Sequence, residues 1–232
     1  MFRTALVILA CFSLPMVVQA EDSEKDNAEQ LDGLPLIYSD DFEKGADNWE
    51  PTDKKSWKIT DLEGRGKVYH LHQRSDYKPP HRSPRELSLL KDIVVGDFIL
   101  LIKARNTAFK AGGHRDCCIF FGYQDDEHFY YAHQGLIRDA ISNQLLKVDE
   151  GPRKPIGQTN EKTPWDEGWH QIKLIRRVKD GTIALYFDDM KKPAKTAVDK
   201  DFTWGRIGLG SFDDTVQWDD VKLYGEKVKP KK

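Results

Sequence analysis

The stretch from Trp169 to Asp189, WHQIKLIRRVKDGTIALYFDD, decides the fold class. Two runs rich in β-branched and aromatic residues, Trp169 to Arg177 and Ile183 to Phe187, flank the turn residues Asp180-Gly181. Asp-Gly between two such runs is a strong hairpin signal, because these residues accept the positive φ angles of a tight turn. The stretch therefore predicts two antiparallel strands joined by a short turn.

The same kind of run recurs along most of the chain, separated by the turn-favouring residues Asp, Gly and Asn. These runs are Leu36–Tyr38, Trp57–Ile59, Val68–His72, Phe98–Ala104, Cys117–Tyr123, His128–His133, Arg206–Leu209 and Val216–Tyr224. Only the stretch from Leu136 to Val148 has a pattern compatible with a helix. Many short strands with turns between them predict an all-β fold, an antiparallel β-sandwich that forms one domain over residues 36–225.

The start of the chain has the three parts of a secretory signal. Arg3 precedes an apolar run from Ala5 to Val18, and Val18-Gln19-Ala20 supplies the small residues of a cleavage site. The sequence thus predicts a signal peptide over residues 1–20 and a protein that is secreted, into the periplasm or outside the cell. An alternative is a lipoprotein signal in which Cys11 is acylated. Residues 21–35 are predicted to be a flexible acidic leader and residues 226–232 a basic tail.

Charge and cysteine content disfavour several classes of protein. The chain has 36 Lys and Arg against 38 Asp and Glu, a net charge of −2, which gives no electrostatic reason to expect nucleic acid as a partner. After the signal, no segment is apolar enough to span a membrane. Cys117 and Cys118 are adjacent and point to opposite faces of a strand, which favours two buried thiols over a strained vicinal disulfide.

Motifs at both ends of the predicted domain carry a family resemblance. The opening motif is YSDDFEKG, Tyr38 to Gly45, followed by Asn48-Trp49; the closing motifs are GRIGLGS, Gly205 to Ser211, and WDDVKLY, Trp218 to Tyr224. Their order and spacing resemble the opening strand and the closing strand pair of the concanavalin A-like (laminin G-like, laminarinase-like) jelly rolls. This resemblance implies a carbohydrate-associated protein whose first and last strands lie side by side in one sheet.

The chain departs from the hydrolases of that superfamily. Laminarinase-type enzymes carry an E-x-D-x-x-E run on one strand, which places the catalytic carboxylates on one face. No strand predicted here carries such a run. Hydrolysis by that mechanism is therefore not expected.

The densest group of side chains suited to ligand binding runs from His114 to His133. A two-residue turn at Asp125-Asp126 would place Gln124, Tyr131 and His133 on one sheet face, with Tyr123 on the other. With a nearby arginine, this resembles the set that jelly-roll polysaccharide lyases use, where imidazole and phenol act as base and acid. The predicted ligand-binding residues are Arg82, His114, Arg115, Gln124, Tyr131, His133 and Arg153; alternatively, they only bond loops to strands.

The resemblance also implies a structural calcium ion between the opening segment and the last strand. Asp219 matches the aspartate of the closing motif, and Asp41 or Glu43, with a carbonyl near Gly64, could complete a shell of oxygen ligands. Acidic residues are also ordinary at strand ends, so the same pattern fits a role without metal.

Together these features predict a secreted jelly roll that recognises a polysaccharide on its concave sheet face. One alternative is a carbohydrate-active enzyme, either a polysaccharide lyase or a relative of the 3-keto-glycoside hydrolase domains, which Gly96-Asp97-Phe98 and the Trp169 strand resemble. The other is a non-catalytic structural or adhesive surface module, since this fold hosts lectins, enzymes and interaction domains alike.

Overall fold

The computed structural model describes residues 29–230, which form two antiparallel sheets. The strands are β1 (Gln30–Leu31), β2 (Leu34–Asp40), β3 (Trp49–Pro51), β4 (Trp57–Leu62), β5 (Gly66–Leu71), β6 (Glu86–Leu90), β7 (Val95–Asn106), β8 (Cys118–Asp125), β9 (His128–His133), β10 (Leu145–Asp149), β11 (Lys154–Pro155), β12 (Gly157–Thr159), β13 (His170–Arg177), β14 (Thr182–Phe187), β15 (Lys195–Val198), β16 (Arg206–Ser211) and β17 (Val216–Lys227). Two short 3₁₀ helices, Lys54–Ser56 and Gly112–His114, complete the regular structure of this range. The all-β antiparallel sandwich is confirmed. No helix within residues 29–230 is long and apolar enough to cross a membrane.

The two ends of the domain meet in the larger sheet. That ten-stranded sheet runs β1-β2-β17-β7-β13-β14-β15-β12, with β5 paired to β17 and β4 to β5. In the β2–β17 pair, Val221 lies opposite Asp40 and Leu223 opposite Tyr38. The opening strand β2 and the last strand β17 therefore lie side by side, as the resemblance implies. Both edges of β17 are paired with other strands.

The boundaries of the ends differ from the prediction. The signal peptide and residues 21–28 of the predicted leader lie outside the described residues. Residues 30–31 and 34–35 of that leader already belong to β1 and β2, and β17 takes in Glu226 and Lys227 of the predicted tail. Glu29 explains part of this order, because its carboxylate bonds with Lys222 and Tyr224 on β17.

The stretch predicted as a possible helix, Leu136 to Val148, is a loop followed by β10. Asp139 accepts hydrogen bonds from the backbone N–H groups of Ile141 and Ser142, and Asn143 has a positive φ of 55°. Side chains that bond to nearby backbone groups compete with the helical hydrogen bonds. The polar residues of this stretch therefore hold a turn.

The main core lies between the sheets and is rich in aromatic rings. Trp49, Trp57 and Trp218 are buried there, whereas Trp169 and Trp204 are only half-buried at the rims. Trp57 stacks on Tyr69 with ring centroids 4.5 Å apart. Three of the five tryptophans expected to fill the core or its rims thus fill the core itself.

Each cysteine contributes to a different apolar layer. Cys117 packs in the core between the sheets and Cys118 on the outer face of the smaller sheet, and both are free thiols. Burial raises the pKa of both thiols well above the ordinary value, so both stay protonated. Of the two forms considered, the structure has the buried thiols and not the vicinal disulfide.

The seven-stranded sheet, β11-β10-β9-β8-β16-β6-β3, is apolar on both faces. Its outer face carries a second buried cluster made of Leu87, Leu89, Cys118, Phe120, Tyr123, Phe129, Tyr131, Leu146 and Val148. Within residues 29–230, the sheet face on which Gln124, Tyr131 and His133 were predicted to form a polar site is therefore covered by apolar side chains. The physical reason is visible in the sequence, because an unbroken run such as Ile119-Phe120-Phe121 needs apolar contacts on both sides of its strand.

A long connection between β5 and β6, residues 72–85, lies over part of this outer face and is named the covering segment. Near its start, the backbone N–H of Ser75 bonds to Glu86 at the beginning of β6. Near its end, His81 Nε2 lies 3.1 Å from Glu127 in the β8–β9 turn. The segment thus crosses from β6 towards the β8–β9 hairpin.

A β-bulge at Gly122 changes the predicted faces of β8. Phe121 pairs with Tyr130 and Asp125 with His128, so the register shifts between them and the turn falls at Asp126-Glu127. Gly122 has a φ of +56°, a conformation that favours glycine. Tyr123 therefore joins the outer cluster that it was predicted to oppose.

Candidate functional site

A cleft of about 830 Å³ opens between the covering segment and the turn that follows β16. Phe212 in that turn is half-buried, and two guanidinium groups lie against its ring: Arg153 at 4.4 Å and Arg82 at 5.8 Å from the ring centroid. The side chains and backbone that line it, named here the Phe212 cleft, are Arg74, Ser75, Asp76, Tyr77, Lys78, Pro79, Arg82, Ser83, Arg85, Phe212 and Asp213. The cleft combines an aromatic ring with several hydrogen-bond donors.

Three separate loops bring these side chains together. Arg82 follows Pro79-Pro80 in the covering segment and Arg153 follows Gly151-Pro152, and proline limits the freedom of both loops. The backbone N–H of Phe212 donates to Asp116 Oδ1 over 2.9 Å, which fixes the third loop. A guanidinium over an aromatic face is a favourable contact, so the ring holds both arginines at the cleft.

Tyr131 lies under the cleft and supports Arg153. Its side chain is fully buried in the outer cluster, and its hydroxyl accepts a hydrogen bond from Arg153 Nη1 over 3.3 Å. Burial raises the pKa of Tyr131, so the phenol stays neutral at physiological pH. Tyr131 therefore positions an arginine and does not itself face the cleft.

His133 is also buried, and both of its ring nitrogens are occupied. Nδ1 accepts a hydrogen bond from the backbone N–H of Asn143 over 2.9 Å, so the ring proton belongs on Nε2. Nε2 lies 3.4 Å from Asp116 Oδ2. No nitrogen is left to act as a base on a ligand, which removes the role that a lyase would require of this residue.

Asp116 is the centre of a buried polar network behind the cleft. One of its oxygens accepts bonds from Ser211 Oγ and Phe212 N, and its own backbone N–H donates to Asp214 over 2.6 Å. Burial opposes the charge on Asp116, but the pairing with His133 and these hydrogen bonds keep its pKa below the ordinary value. Burial, and then the charge of Asp116, raise the pKa of Asp214 to about 6. The network ties the Phe212 turn to β8.

Asp116, Cys118 and His133 also offer ligand atoms within 4.8 Å of one another, which is the spacing of a metal site. A metal on Nε2 would require the proton of His133 on Nδ1, where it would face the N–H of Asn143. Metal-bound histidines normally direct their second nitrogen to an acceptor, not to a donor. The geometry therefore fits a hydrogen-bonded cluster and not a metal centre.

The other predicted ligand-binding residues lie away from the cleft. Arg115 is buried and donates to Asn106 and to the backbone carbonyl of Asp166, so it joins the end of β7 to the loop before β13. The amide of Gln124 donates to the carbonyl of Trp204, because the bulge at Gly122 turns it off the predicted face. His114 is exposed in the second 3₁₀ helix, and no hydrogen bond of its side chain occurs within residues 29–230.

The three predicted calcium ligands do not form a group of ligand atoms in the described part of the chain. Asp219 is buried and pairs with the guanidinium of Arg65 at 2.6 Å. Glu43 accepts a hydrogen bond from the backbone N–H of Lys67, and Asp41 from that of Glu43. The guanidinium of Arg65 thus already supplies the positive charge beside Asp219. In this arrangement the three residues do not form a calcium site, and calcium binding stays a prediction.

A larger cavity, of about 1040 Å³, lies on the opposite side, against β2, β17 and β7. Five carboxylates and three lysines line it, and two of the lysines are already paired: Lys103 with Asp220 at 2.8 Å and Lys222 with Glu29 at 2.8 Å. Paired groups have little capacity left for a ligand. We therefore place the candidate site at the Phe212 cleft in spite of its smaller volume.

Of the predicted residues, Arg82, Arg153 and His133 lie near the ring of Phe212, and Tyr131 bonds to Arg153. Phe212 itself was missed, together with Arg74, Lys78 and Arg85 of the covering segment. The sequence does contain a signal for Phe212, which is an aromatic residue within the polar turn Ser211-Phe212-Asp213-Asp214. An aromatic side chain in such a turn is not expected to be part of the core.

No model of a known protein family matches the chain, and no curated protein matches it by sequence. Among solved structures, it is similar to the carbohydrate-binding module CBM66 from Bacillus subtilis, with 17% identity, a TM-score of 0.55, and coverage of 77% of this chain and 96% of the module. It is similar to the cellulose-induced protein Cip1, with 13% identity, a TM-score of 0.54, and coverage of 84% and 100%. Winged bean acidic lectin, solved with methyl-α-D-galactose, has 10% identity, a TM-score of 0.51, and coverage of 83% and 98%. These similarities show a β-sandwich of the jelly-roll kind.

Proposed function

We propose that this protein binds a glycan at the Phe212 cleft and does not turn it over. The observation that carries this proposal is the meeting of three loops at one open cleft: Arg82 and Phe212 line the cleft, and Arg153 packs against the ring of Phe212. Ligand sites in proteins typically combine apolar walls with a few well-placed polar groups. Guanidinium groups donate hydrogen bonds in a fixed, planar geometry, and this suits the oxygens of a sugar ring and its substituents.

The absence of turnover is supported by the state of the candidate catalytic groups. His133 uses both nitrogens internally, and Tyr131 is buried beneath Arg153. General acid–base catalysis needs a group within hydrogen-bond reach of the substrate. Neither of the two residues that a lyase would use has that reach here.

The comparisons support a glycan as the class of ligand. Two of the similar structures are named as a carbohydrate-binding module and as a lectin in complex with a galactoside. Because fold alone does not determine function, the proposal rests on the cleft and uses the fold as support. We further propose that the chain belongs to the concanavalin A-like superfamily and is secreted, as its terminal motifs and N-terminal pattern suggest.

Affinity electrophoresis in gels that contain single polysaccharides tests the proposal. The wild-type protein is expected to be retarded by at least one polysaccharide, and Phe212→Ala to lose the retardation. Phe109→Ala is the matched control, because Phe109 also has two arginines, Arg105 and Arg115, against its ring and is partly accessible to solvent. Equal loss in both variants, or release of new reducing ends or unsaturated products, would contradict binding at this cleft without turnover.

A further inference from the structure

The Phe212 cleft carries an excess of positive charge on a protein that is slightly acidic overall. Four cationic residues line it, namely Arg74, Lys78, Arg82 and Arg85, against the two carboxylates of Asp76 and Asp213. Arg153 adds a fifth cation at the ring of Phe212. The whole chain, in contrast, has a net charge of −2.

These five cations have no ion-pair partner among residues 29–230, whereas other arginines of the protein do. Arg65 pairs with Asp219, Arg138 with Glu161 and Arg206 with Glu50. The side chain of Arg153 bonds to the Tyr131 hydroxyl, which is neutral. Its charge therefore remains available to a ligand.

Neither of two carboxylates near these cations, Asp139 and Glu86, forms an ion pair with them within residues 29–230. Hydrogen bonds from the backbone N–H groups of Ile141 and Ser142 to Oδ1 lower the pKa of Asp139, and the positive charge of Arg153 adds to this effect. Glu86 is buried beside Ser75, whose backbone N–H donates to both of its oxygens. Burial raises the pKa of Glu86 to about 7, so it carries only part of a negative charge near neutral pH. Five cations against Asp76, Asp213, Asp139 and a partly protonated Glu86 still leave an excess of positive charge at the cleft.

We infer that the ligand of the Phe212 cleft is an acidic polysaccharide, held through carboxylate or sulfate groups by Arg82 and Arg153. This inference rests on the proposed function and names the class of glycan. A planar guanidinium binds a carboxylate or a sulfate through two parallel hydrogen bonds, which a neutral sugar hydroxyl cannot match. Because Phe212 fixes both guanidinium groups, little side-chain entropy is lost when the anion binds.

The test measures the affinity of the intact protein for polygalacturonate, dextran sulfate, unmodified dextran and poly-glutamate by calorimetry at several salt concentrations. Binding is expected to polygalacturonate or dextran sulfate, weakening as salt screens the charges, and not to unmodified dextran. Arg82→Ala and Arg153→Ala are each expected to lower the affinity by roughly tenfold or more, the effect of losing one charged hydrogen bond. Arg105→Ala is the matched control, because Arg105 donates to the carbonyl of Glu167 and lies outside the cleft.

The possible results separate this inference from the proposed function. Preference for polygalacturonate identifies carboxylate groups as the anion, and preference for dextran sulfate identifies sulfate groups. Binding to a neutral polysaccharide that Phe212→Ala abolishes would overturn the inference and leave the proposed function standing. Poly-glutamate binding as tight as that of the acidic polysaccharides would overturn the inference as well, since charge alone would then explain it. Binding to no polysaccharide of a broad panel would overturn both.

Discussion

The backbone N–H of Asn143 donates a hydrogen bond to Nδ1 of His133 over 2.9 Å. A backbone N–H can only donate, so this contact fixes the tautomer of the imidazole and directs its Nε2 proton towards Asp116. A histidine that the sequence offers as a catalytic base is instead a buried link between a loop and two strands. His133 therefore has no free nitrogen for a ligand, and Arg82 and Arg153 remain as the groups that can bind one.

Replacing His133 with alanine is expected to destabilise the fold by roughly 3 kcal/mol, because the Asn143 N–H and the buried Asp116 carboxylate both lose their partner. Urea unfolding at neutral pH measures this change. His114→Ala, at an exposed histidine, is the control and should leave the unfolding midpoint unchanged. A His133→Ala protein of normal stability that no longer retains glycan would instead place His133 in contact with the ligand.

Lys195 on β15 is buried and donates to Gln134 Oε1 over 2.6 Å. Burial lowers its pKa from 10.5 to about 7. Between these values the unfolded chain holds a proton that the folded chain lacks, so this residue makes the free energy of unfolding rise with pH, by roughly 1.4 kcal/mol per pH unit. Lys195→Met is expected to remove that rise.

Urea midpoints of wild type and Lys195→Met between pH 7 and pH 9.5 check the prediction, with Lys58→Met as the control at an exposed lysine. The difference between wild type and the Lys195 variant should change steadily with pH. A constant difference would mean that Lys195 keeps its proton in the fold.

Glu86 has the opposite dependence. Burial raises its pKa from 4.5 to about 7, so between these values the folded chain holds a proton that the unfolded chain has lost. The stability that Glu86 contributes is present below pH 4.5 and lost as the pH rises through 7. Glu86→Gln is expected to be the more stable protein at pH 7.5 by roughly 2 kcal/mol, with no gain at pH 4.

Thermal unfolding at both pH values measures this, and Glu63→Gln at an exposed turn is the control. Equal effects at both pH values would contradict the raised pKa.

Arg65 is expected to replace calcium as the charge beside Asp219. EGTA should therefore leave the thermal midpoint of the wild-type protein unchanged. Arg65→Ala should lower the stability by roughly 2 kcal/mol, because the buried carboxylate loses its partner. A midpoint that falls with EGTA and recovers with added calcium would restore the metal site.

Local signals were enough to predict most of the longer strands and one hairpin, but not β6, β10 or β15. Arg177 pairs with Thr182 across the Asp180-Gly181 turn, and Gly181 has the expected positive φ of 84°. A turn of this kind depends on residues adjacent in sequence, so the sequence states it directly. The pairing of β2 with β17 came from the family resemblance.

The site could be predicted only in part, because it depends on contacts between residues far apart in sequence. The bulge at Gly122 shifts the register of the β8–β9 hairpin, and one residue of shift moves a side chain to the other face. Gln124 left the predicted site for this reason, and Tyr123 entered the outer cluster. Phe212 gains its role from Arg82 and Arg153, which no local pattern connects to it.

The antiparallel pairing of β2 with β17 has a further consequence for how the domain can be attached to something else. Tyr224 lies opposite Leu36, and Glu29 bonds to Lys222 and Tyr224, so the polypeptide enters and leaves the sandwich at neighbouring positions. Because these two positions are close together, the domain could be inserted into a surface loop of another protein without separating the two residues that flank the insertion. A tether at either end would hold the domain from nearly the same point.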